Sequence, residues 1–419
     1  MNRRERYKRI MNHQEADRVP IDLGSHVASI HRNSYMKLKK YMQDEGLKNE
    51  DKVLDRMVQN VVPDEKLLER LGVDFRWLFP NWVGVKDVRD DIYEDMWGIQ
   101  WQYMLDAYSV YDSPLKNAKT KLDIENHPWH DPYDPDIWAG LPERGKWLYE
   151  NTDYILVMDA VKGGLLTKAL QIRGYQEFFM DLANNIEFAE ALLDKLLDLY
   201  KTMYGEVLKR IGPYVDQIYF TDDLGGQSQM MIAPDTYRQI VKPRQKQLFE
   251  HIKSVADVNV MYHTDGTVTP VINDIIEIGA DILNPIQTSA LGMDTDWLKG
   301  EFGDRIVFHG AIDVQQMLPF STPEEVRYDV AKRLHHLAPG GGYILAPCHN
   351  IGSDVPPQNV LAMYDAANEL NSYPIDVTHV LKPEDLLPYE ERMKRRSEGE
   401  LPSEGGKKVK RPRPKRSRR

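Results

Sequence analysis

The sequence predicts a (β/α)8 barrel on three observations. Eight short apolar, β-branched or aromatic runs recur along the chain. Segments with apolar positions at three-to-four spacing separate them. The glycine-rich turn expected of a doubly wound sheet is missing, since no G-x-G-x-x-G follows the first run. Strands alternating with helices imply a parallel sheet with helical crossovers. Eight such units in a core somewhat longer than ~250 residues fit a closed barrel with insertions better than the open alternative.

The runs are VPIDL (19–23), VDFRWLF (73–79), ILVMDA (155–160), QIYFTD (217–222), VNVMYH (258–263), DILNPI (281–286), RIVFHG (305–310) and GYILAP (342–347). Pro323 after Thr322, and Pro234 after Ala233, mark helix first turns, where proline's missing donor is harmless. PGGGY (339–343) precedes a strand and reads as a turn. Between the second and third runs, DIYEDMWGIQWQYM alternates like a hairpin turning near Gly98, and NHPWHDPYDPDIW reads as an irregular loop. The expected organisation is therefore a barrel over 1–372 with an insertion or lid at 80–154. A C-terminal extension follows at 373–406, then a basic disordered tail at 407–419.

Composition narrows the function classes. An apolar fraction of 42% supports a substantial core. The net charge is −11, and the tail carries nine Lys and Arg; removing those nine from 54 leaves 45 bases against 65 acids, a body at −20. Broad nucleic-acid binding needs phosphate neutralisation, so only the tail offers a weak contact with an anionic partner. No run approaches about 18 consecutive apolar residues, and the first residues are charged, so a cytoplasmic protein without a membrane partner is expected. With Cys348 as the single cysteine, an internal disulfide is excluded.

Active sites of such barrels lie at the C-terminal ends of the strands. The polar residues that end the eight runs are Asp22 with His26, Asp159, Asp222 with Asp223, His263 with Asp265, Asn284 with Gln287, His309 with Asp313, and Cys348 with His349. Taken singly, a residue such as Asp159 or His309 is better explained as a hydrogen-bonded structural group than as a catalyst; their convergence at one rim is the signal. His263 and Asp265 form the sharpest pair. Positions i and i+2 of an extended segment share a face, so both can point at one ion or substrate while Thr264 points away and Gly266 lets the chain turn. The alternative is a histidine oriented by its neighbouring carboxylate.

The stretches HTDGTVTPVINDIIEIGADILNPIQ, FGDRIVFHGAIDVQQMLPFSTPEEVR and PGGGYILAPCHNIGSDVPPQNVLAMYDAANE, with the early EADRVPIDLG, resemble the uroporphyrinogen decarboxylase superfamily. That resemblance implies a (β/α)8 barrel. The true decarboxylases grip an acidic tetrapyrrole with an arginine-rich segment after the first strand and an aspartate after the second. Here IDLGSHVASIHRNSY offers Arg32 alone, and RWLFPNW offers no acid. The chain is more similar to the corrinoid-dependent methyltransferase branch, whose zinc site is a His-x-Cys after the fifth strand plus a cysteine after the eighth.

The resemblance then implies zinc held by His263, Asp265 and Cys348, with Asp265 replacing a cysteine. It also implies a corrinoid (cobalamin) carried by a partner protein, and a thiol or methoxylated small molecule as methyl donor or acceptor. Asp222, Asp223 and His349 are the expected catalytic groups, His349 serving as acid, base or fourth ligand. Asp22, His26, Asn284, Gln287 and His309 are expected to bind substrate. Two other readings stay open: a metal-free lyase acting on an acidic small molecule, and a binding barrel that has lost its chemistry.

Overall fold

A computed structural model of the chain describes residues 1–43, 52–161 and 163–399. The basic tail at 407–419 and the end of the C-terminal extension lie outside the described residues. Seven parallel strands form one curled sheet, in the spatial order Phe75–Leu78, Ile155–Met158, Gln217–Thr221, Asn259–His263, Ile282–Asn284, Val307–Ile312 and Tyr343–Pro347. Chain order and spatial order coincide, as right-handed β-helix-β units require.

The remaining run, 19–23, closes the barrel without forming a regular strand. Leu345 N–H donates to Pro20 O, and Asp22 N–H donates to Leu345 O, each at 2.9 Å; on the other side Asp74 N–H donates to Ile21 O at 2.8 Å. Pro20 has no N–H to give, which interrupts the ladder at that point. The segment therefore lies between the two edge strands, and the fold is a TIM barrel.

Side chains alternate between two layers. Phe75, Trp77, Ile155, Val157, Tyr219, Met261, Ile282, Val307 and Ile344 pack together inside the barrel. Their neighbours Leu78, Leu156, Met158, Ile218, Phe220, Val260, Tyr262, Leu283, Phe308 and Leu345 join the larger core between the strands and the surrounding helices. The helix Arg3–Met11 stoppers the lower end: Tyr7 and Ile10 enter the interior cluster, and Tyr7 Oη donates to Gln217 Oε1 at 2.9 Å.

The 80–154 segment contains the expected hairpin, Ile92–Glu94 with Gln100–Met104 turning at Gly98. Lys86–Arg89 and Ala107–Asp112 extend it to a four-stranded antiparallel sheet. A second small sheet, from Ile30–His31, Val53–Asp55 and Asn60–Val61, was not foreseen. The helix Tyr389–Ser397 of the C-terminal extension is tied to the barrel's outer shell, with Arg392 Nε donating to the buried Asp296 carboxylate at 3.0 Å. Among the described residues no helix is long and apolar enough to cross a membrane.

Candidate active site

Strand parity decides which polar residues enter the barrel mouth. Continuing the interior positions 155-157, 219-221, 261-263, 282-284 and 307-309 brings Asp159, Thr221, His263, Asn284 and His309 inward; Asp22 joins them from the closing segment. Asp22 Oδ1 accepts from Trp77 Nε1 at 3.0 Å, and its Oδ2 lies 2.9 Å from His309 Nε2. His309 Nδ1 is 2.6 Å from Asn284 Nδ2, and Asn284 Oδ1 is 2.6 Å from His263 Nδ1. These groups are all within a few percent of complete burial. His26 sits apart from this chain, its Nδ1 2.5 Å from Asp159 Oδ1 and its ring edge-on to Tyr219.

Two loops then meet backbone to backbone. Gly266 has φ +84°, and a Cβ there would lie 2.5 Å from Gly225 C and Gly226 O. Thr264 points away from the mouth, its Oγ1 accepting from Leu224 N–H at 2.9 Å. The close approach sets Asp223 beside Asp265, whose N–H donates to Asp223 Oδ1 at 3.1 Å. His263 Nε2 faces both carboxylates at 3.8 Å, and His349 Nε2 lies 3.9 Å from Asp265 Oδ2.

Among the described residues, His263, Asp265 and His349 form the one group of three donors whose ligand atoms lie within 4.8 Å of one another. A tetrahedral ion at about 2.0–2.1 Å from each ligand needs edges of about 3.3 Å. The group is wider than a bound ion's coordination shell, so its three side chains must close on a small cation to hold it, while the Asp223 carboxylate, 3.8 Å from His263 Nε2, lies outside the group. Burial and the Asp265 charge push the Asp223 carboxyl up, while burial pulls the His349 imidazolium down against the opposing pull of Asp265.

Several expected site residues are placed otherwise: Asp22, Asn284 and His309, expected to bind substrate, are buried in the hydrogen-bond chain and line neither cavity at the mouth. Cys348 is not in the donor group: its Sγ donates to Ile286 O at 3.0 Å, and burial pushes the thiol far above its ordinary range. The cluster takes the adjacent His349 in its stead, because the turn after Tyr343–Pro347 sends the imidazole toward the mouth and the thiol toward Ile286, just past the strand Ile282–Asn284 two places along the sheet. Asp222 follows Ile218 and Phe220 on the outer face. There it accepts from Leu166 N–H at 3.0 Å, Thr167 N–H at 2.7 Å and Gln245 Nε2 at 2.9 Å, anchoring the start of the helix Leu165–Arg173. Asp222 therefore lines neither cavity at the mouth.

One cavity, of about 140 Å³, is floored by His263, His349, Asp223, Thr221 and His26, and walled by Trp82, Tyr93, Trp101, Met57 and Val58. It is about the size that holds a benzene ring in an engineered protein core. Its charged lining is Asp55, Asp95, Asp223 and Lys168. A second cavity, of about 350 Å³, shares Asp265 and His349 and adds Cys348 with Gln287, Ser289, Asp313, Gln315 and Asn350, so Cys348 borders the site although its thiol is outside the donor group. Gln287 Oε1 also braces the Gly266 turn, accepting its N–H at 2.7 Å. Sequence reading missed Tyr219, Thr221 and Lys168 and the aromatic wall. Period-two counting through QIYFT would have found the first two.

The uroporphyrinogen decarboxylase (URO-D) family model matches residues 160–370. A uroporphyrinogen decarboxylase of Alkalilimnicola ehrlichii is 25% identical over 320 residues, covering 73% of this chain and 78% of the relative. One of Herminiimonas arsenicoxydans is 28% identical over 163 residues, covering 36% of this chain and 43% of the relative. This chain therefore spans less than half the length of that protein. A solved methyltransferase from Methanosarcina mazei has a TM-score of 0.63 at 17% identity, covering 88% of this chain and 99% of its own, a likeness of fold. The matched region holds every barrel strand from Gln217–Thr221 onward together with the donor group, and on that match the chain belongs to the uroporphyrinogen decarboxylase (URO-D) family.

Proposed function

We propose that this chain is a methyltransferase of the URO-D family that moves a methyl group between a corrinoid on a partner protein and a methoxylated small molecule or a thiol. The metal would be held by His263, Asp265 and His349. The observation that carries the reading is the position of that donor group, between a ring-sized aromatic cavity and a wider polar one. Two reactants can thus reach one donor group from separate cavities, the proximity a direct transfer between them requires.

Two imidazoles and a carboxylate suit zinc with a fourth position open, and zinc bound there would polarise a coordinated oxygen or sulfur as a Lewis acid. A donor group without thiolate is hard, which favours an ether oxygen over a thiol as the coordinated atom. Trp82, Tyr93 and Trp101 would pack an apolar substrate and exclude water. Asp223, with its carboxyl pushed up by burial, is suited to hold a proton beside His263 Nε2. The amides of Gln287, Gln315 and Asn350 would meet the second reactant.

The names of the curated relatives favour a second reading, a carboxy-lyase. Against it stands the lining of the aromatic cavity, three carboxylates and one lysine, since gripping a polycarboxylate requires cationic donors. Metal analysis of purified protein, with His263→Ala and His349→Ala, tests the ligands: both variants should lose the metal, and full retention in both would sink the assignment. The cobalamin visible spectrum should change during turnover with an aryl methyl ether donor. Carbon dioxide release from an acidic substrate without any cobalamin dependence would instead select the lyase.

A further inference from the structure

The buried hydrogen-bond chain Asp22–His309–Asn284–His263 crosses the upper interior of the barrel and joins three strands to the closing segment. Its direction follows from chemistry. Trp77 Nε1 can only donate, and it occupies Asp22 Oδ1. The Asp22 carboxylate accepts at its other oxygen as well, so His309 Nε2, 2.9 Å away, carries the proton. A neutral His309 then offers a lone pair at Nδ1, and the group 2.6 Å from it is the Asn284 amide nitrogen, a donor. That leaves Asn284 Oδ1 as an acceptor for His263 Nδ1 at 2.6 Å, so His263 carries its proton on Nδ1. The lone pair of His263 is therefore on Nε2, the atom facing Asp223 and Asp265 at 3.8 Å.

We propose that Asp22, His309 and Asn284 are positioning residues whose one-way hydrogen-bond chain fixes the His263 tautomer, presenting the Nε2 lone pair to the cavity. The Asp22 carboxylate, linked to His263 through His309 and Asn284, thereby selects which nitrogen of His263 can take a cation or a proton. This is a choice of tautomer at constant charge. It holds for any reaction at the mouth and is independent of the methyltransferase reading. These residues serve the site from beneath and do not contact substrate. The chain buries them with every polar atom named above partnered, so an alternative pattern must reverse all its links together.

That reversibility supplies the test. Asp22→Asn is nearly isosteric and keeps an oxygen for Trp77, but its amide nitrogen must donate to His309 Nε2. His309 Nδ1 then carries the proton, Asn284 must rotate its amide by half a turn, and His263 Nδ1 becomes the acceptor. Nitrogen-15 NMR of histidine-labelled, chelator-treated full-length protein distinguishes the tautomers, with the His263 signal identified by its loss in His263→Gln.

Wild type should show His263 protonated on Nδ1 and Asp22→Asn should show it protonated on Nε2. Cobalt(II) affinity, read from its visible spectrum, should fall about 10- to 100-fold in the variant. Asn284→Leu, which cuts the chain, should give a mixture of tautomers and a similar loss of affinity, with circular dichroism checking that each variant is folded. Nε2 protonation in wild type would overturn the proposal, as would a His263 tautomer indifferent to both Asp22→Asn and Asn284→Leu. If Asp22→Asn does not fold, the Asn284→Leu spectrum decides.

Discussion

Cys348 Sγ donates to the carbonyl oxygen of Ile286 at 3.0 Å, turned away from the donor group that its neighbour His349 joins. Thiolate formation there is opposed by burial, and only the thiolate is a good nucleophile or ligand. Native protein at pH 8 should therefore react with a disulfide reagent at least ~100-fold more slowly than urea-unfolded protein. Cys348→Ala should retain metal that His349→Ala loses. Rapid reaction in the native state, or metal loss in Cys348→Ala alone, would return the thiol to the site.

Gly266 carries the turn that seats Asp265 against Asp223. A side chain there meets two penalties: a left-handed backbone, worth about 1–2 kcal/mol, and a backbone contact at 2.5 Å that no rotamer relieves. Gly266→Ala should lower stability by about 2–4 kcal/mol in urea titrations. It should also weaken metal binding, because separating the loops carries Asp265 away from His263. A variant with wild-type stability would contradict the close approach of Gly225 and Gly266.

The strand count was legible because each run is apolar through its length and punctuated by helical patterns. Those same runs hid their parity. Strands covered by helices outside and packed inside show apolar residues on both faces, so QIYF gives no clue to which face is which. Asp222 and Asp223 consequently looked equivalent, although one anchors a helix and the other floors the cavity. Other features left weaker traces still. Pro20 interrupts the closing segment, the small sheet is built from strands of two or three residues, and Lys86–Arg89 is exposed throughout. The His263–Asp265 pair was readable, as i and i+2, because it extends a run whose polar end is unmistakable. The sequence reading puts Cys348 third and His349 as acid, base or fourth ligand, whereas the compact donor group contains His349, because a turn after a strand has no fixed parity.

Tyr219 offers a test of packing beneath the site. It is fully buried, its ring is edge-on to His26 and Trp77, and its hydroxyl, with the Thr221 side chain beside it, makes no well-formed hydrogen bond among the described residues. Leaving a buried hydroxyl unpaired costs about 1–3 kcal/mol, so Tyr219→Phe should be neutral or stabilise by about 1 kcal/mol in thermal or urea unfolding. Destabilisation by more than about 1 kcal/mol would show that the hydroxyl has a partner in solution.

Asp222 gives stability a pH dependence whose sign can be worked out. Burial pushes its carboxyl from 3.8 up to about 6, against the pull of the Leu166 and Thr167 amides and Gln245. Between about pH 4 and pH 6 the folded chain keeps a proton that the unfolded chain has released. Stability contributed at this position therefore falls as pH rises through that window, by at most about 3 kcal/mol. Asp222→Asn cannot titrate; it is expected to be less stable at every pH, since its amide nitrogen confronts N–H donors, but to lack this slope. Urea midpoints at half-unit steps from pH 4 to 7 isolate the effect, because every other acid titrates equally in both proteins. The gap between wild type and variant should narrow as pH rises. A gap that widens would mean that the helix amides outweigh burial and hold Asp222 ionised throughout.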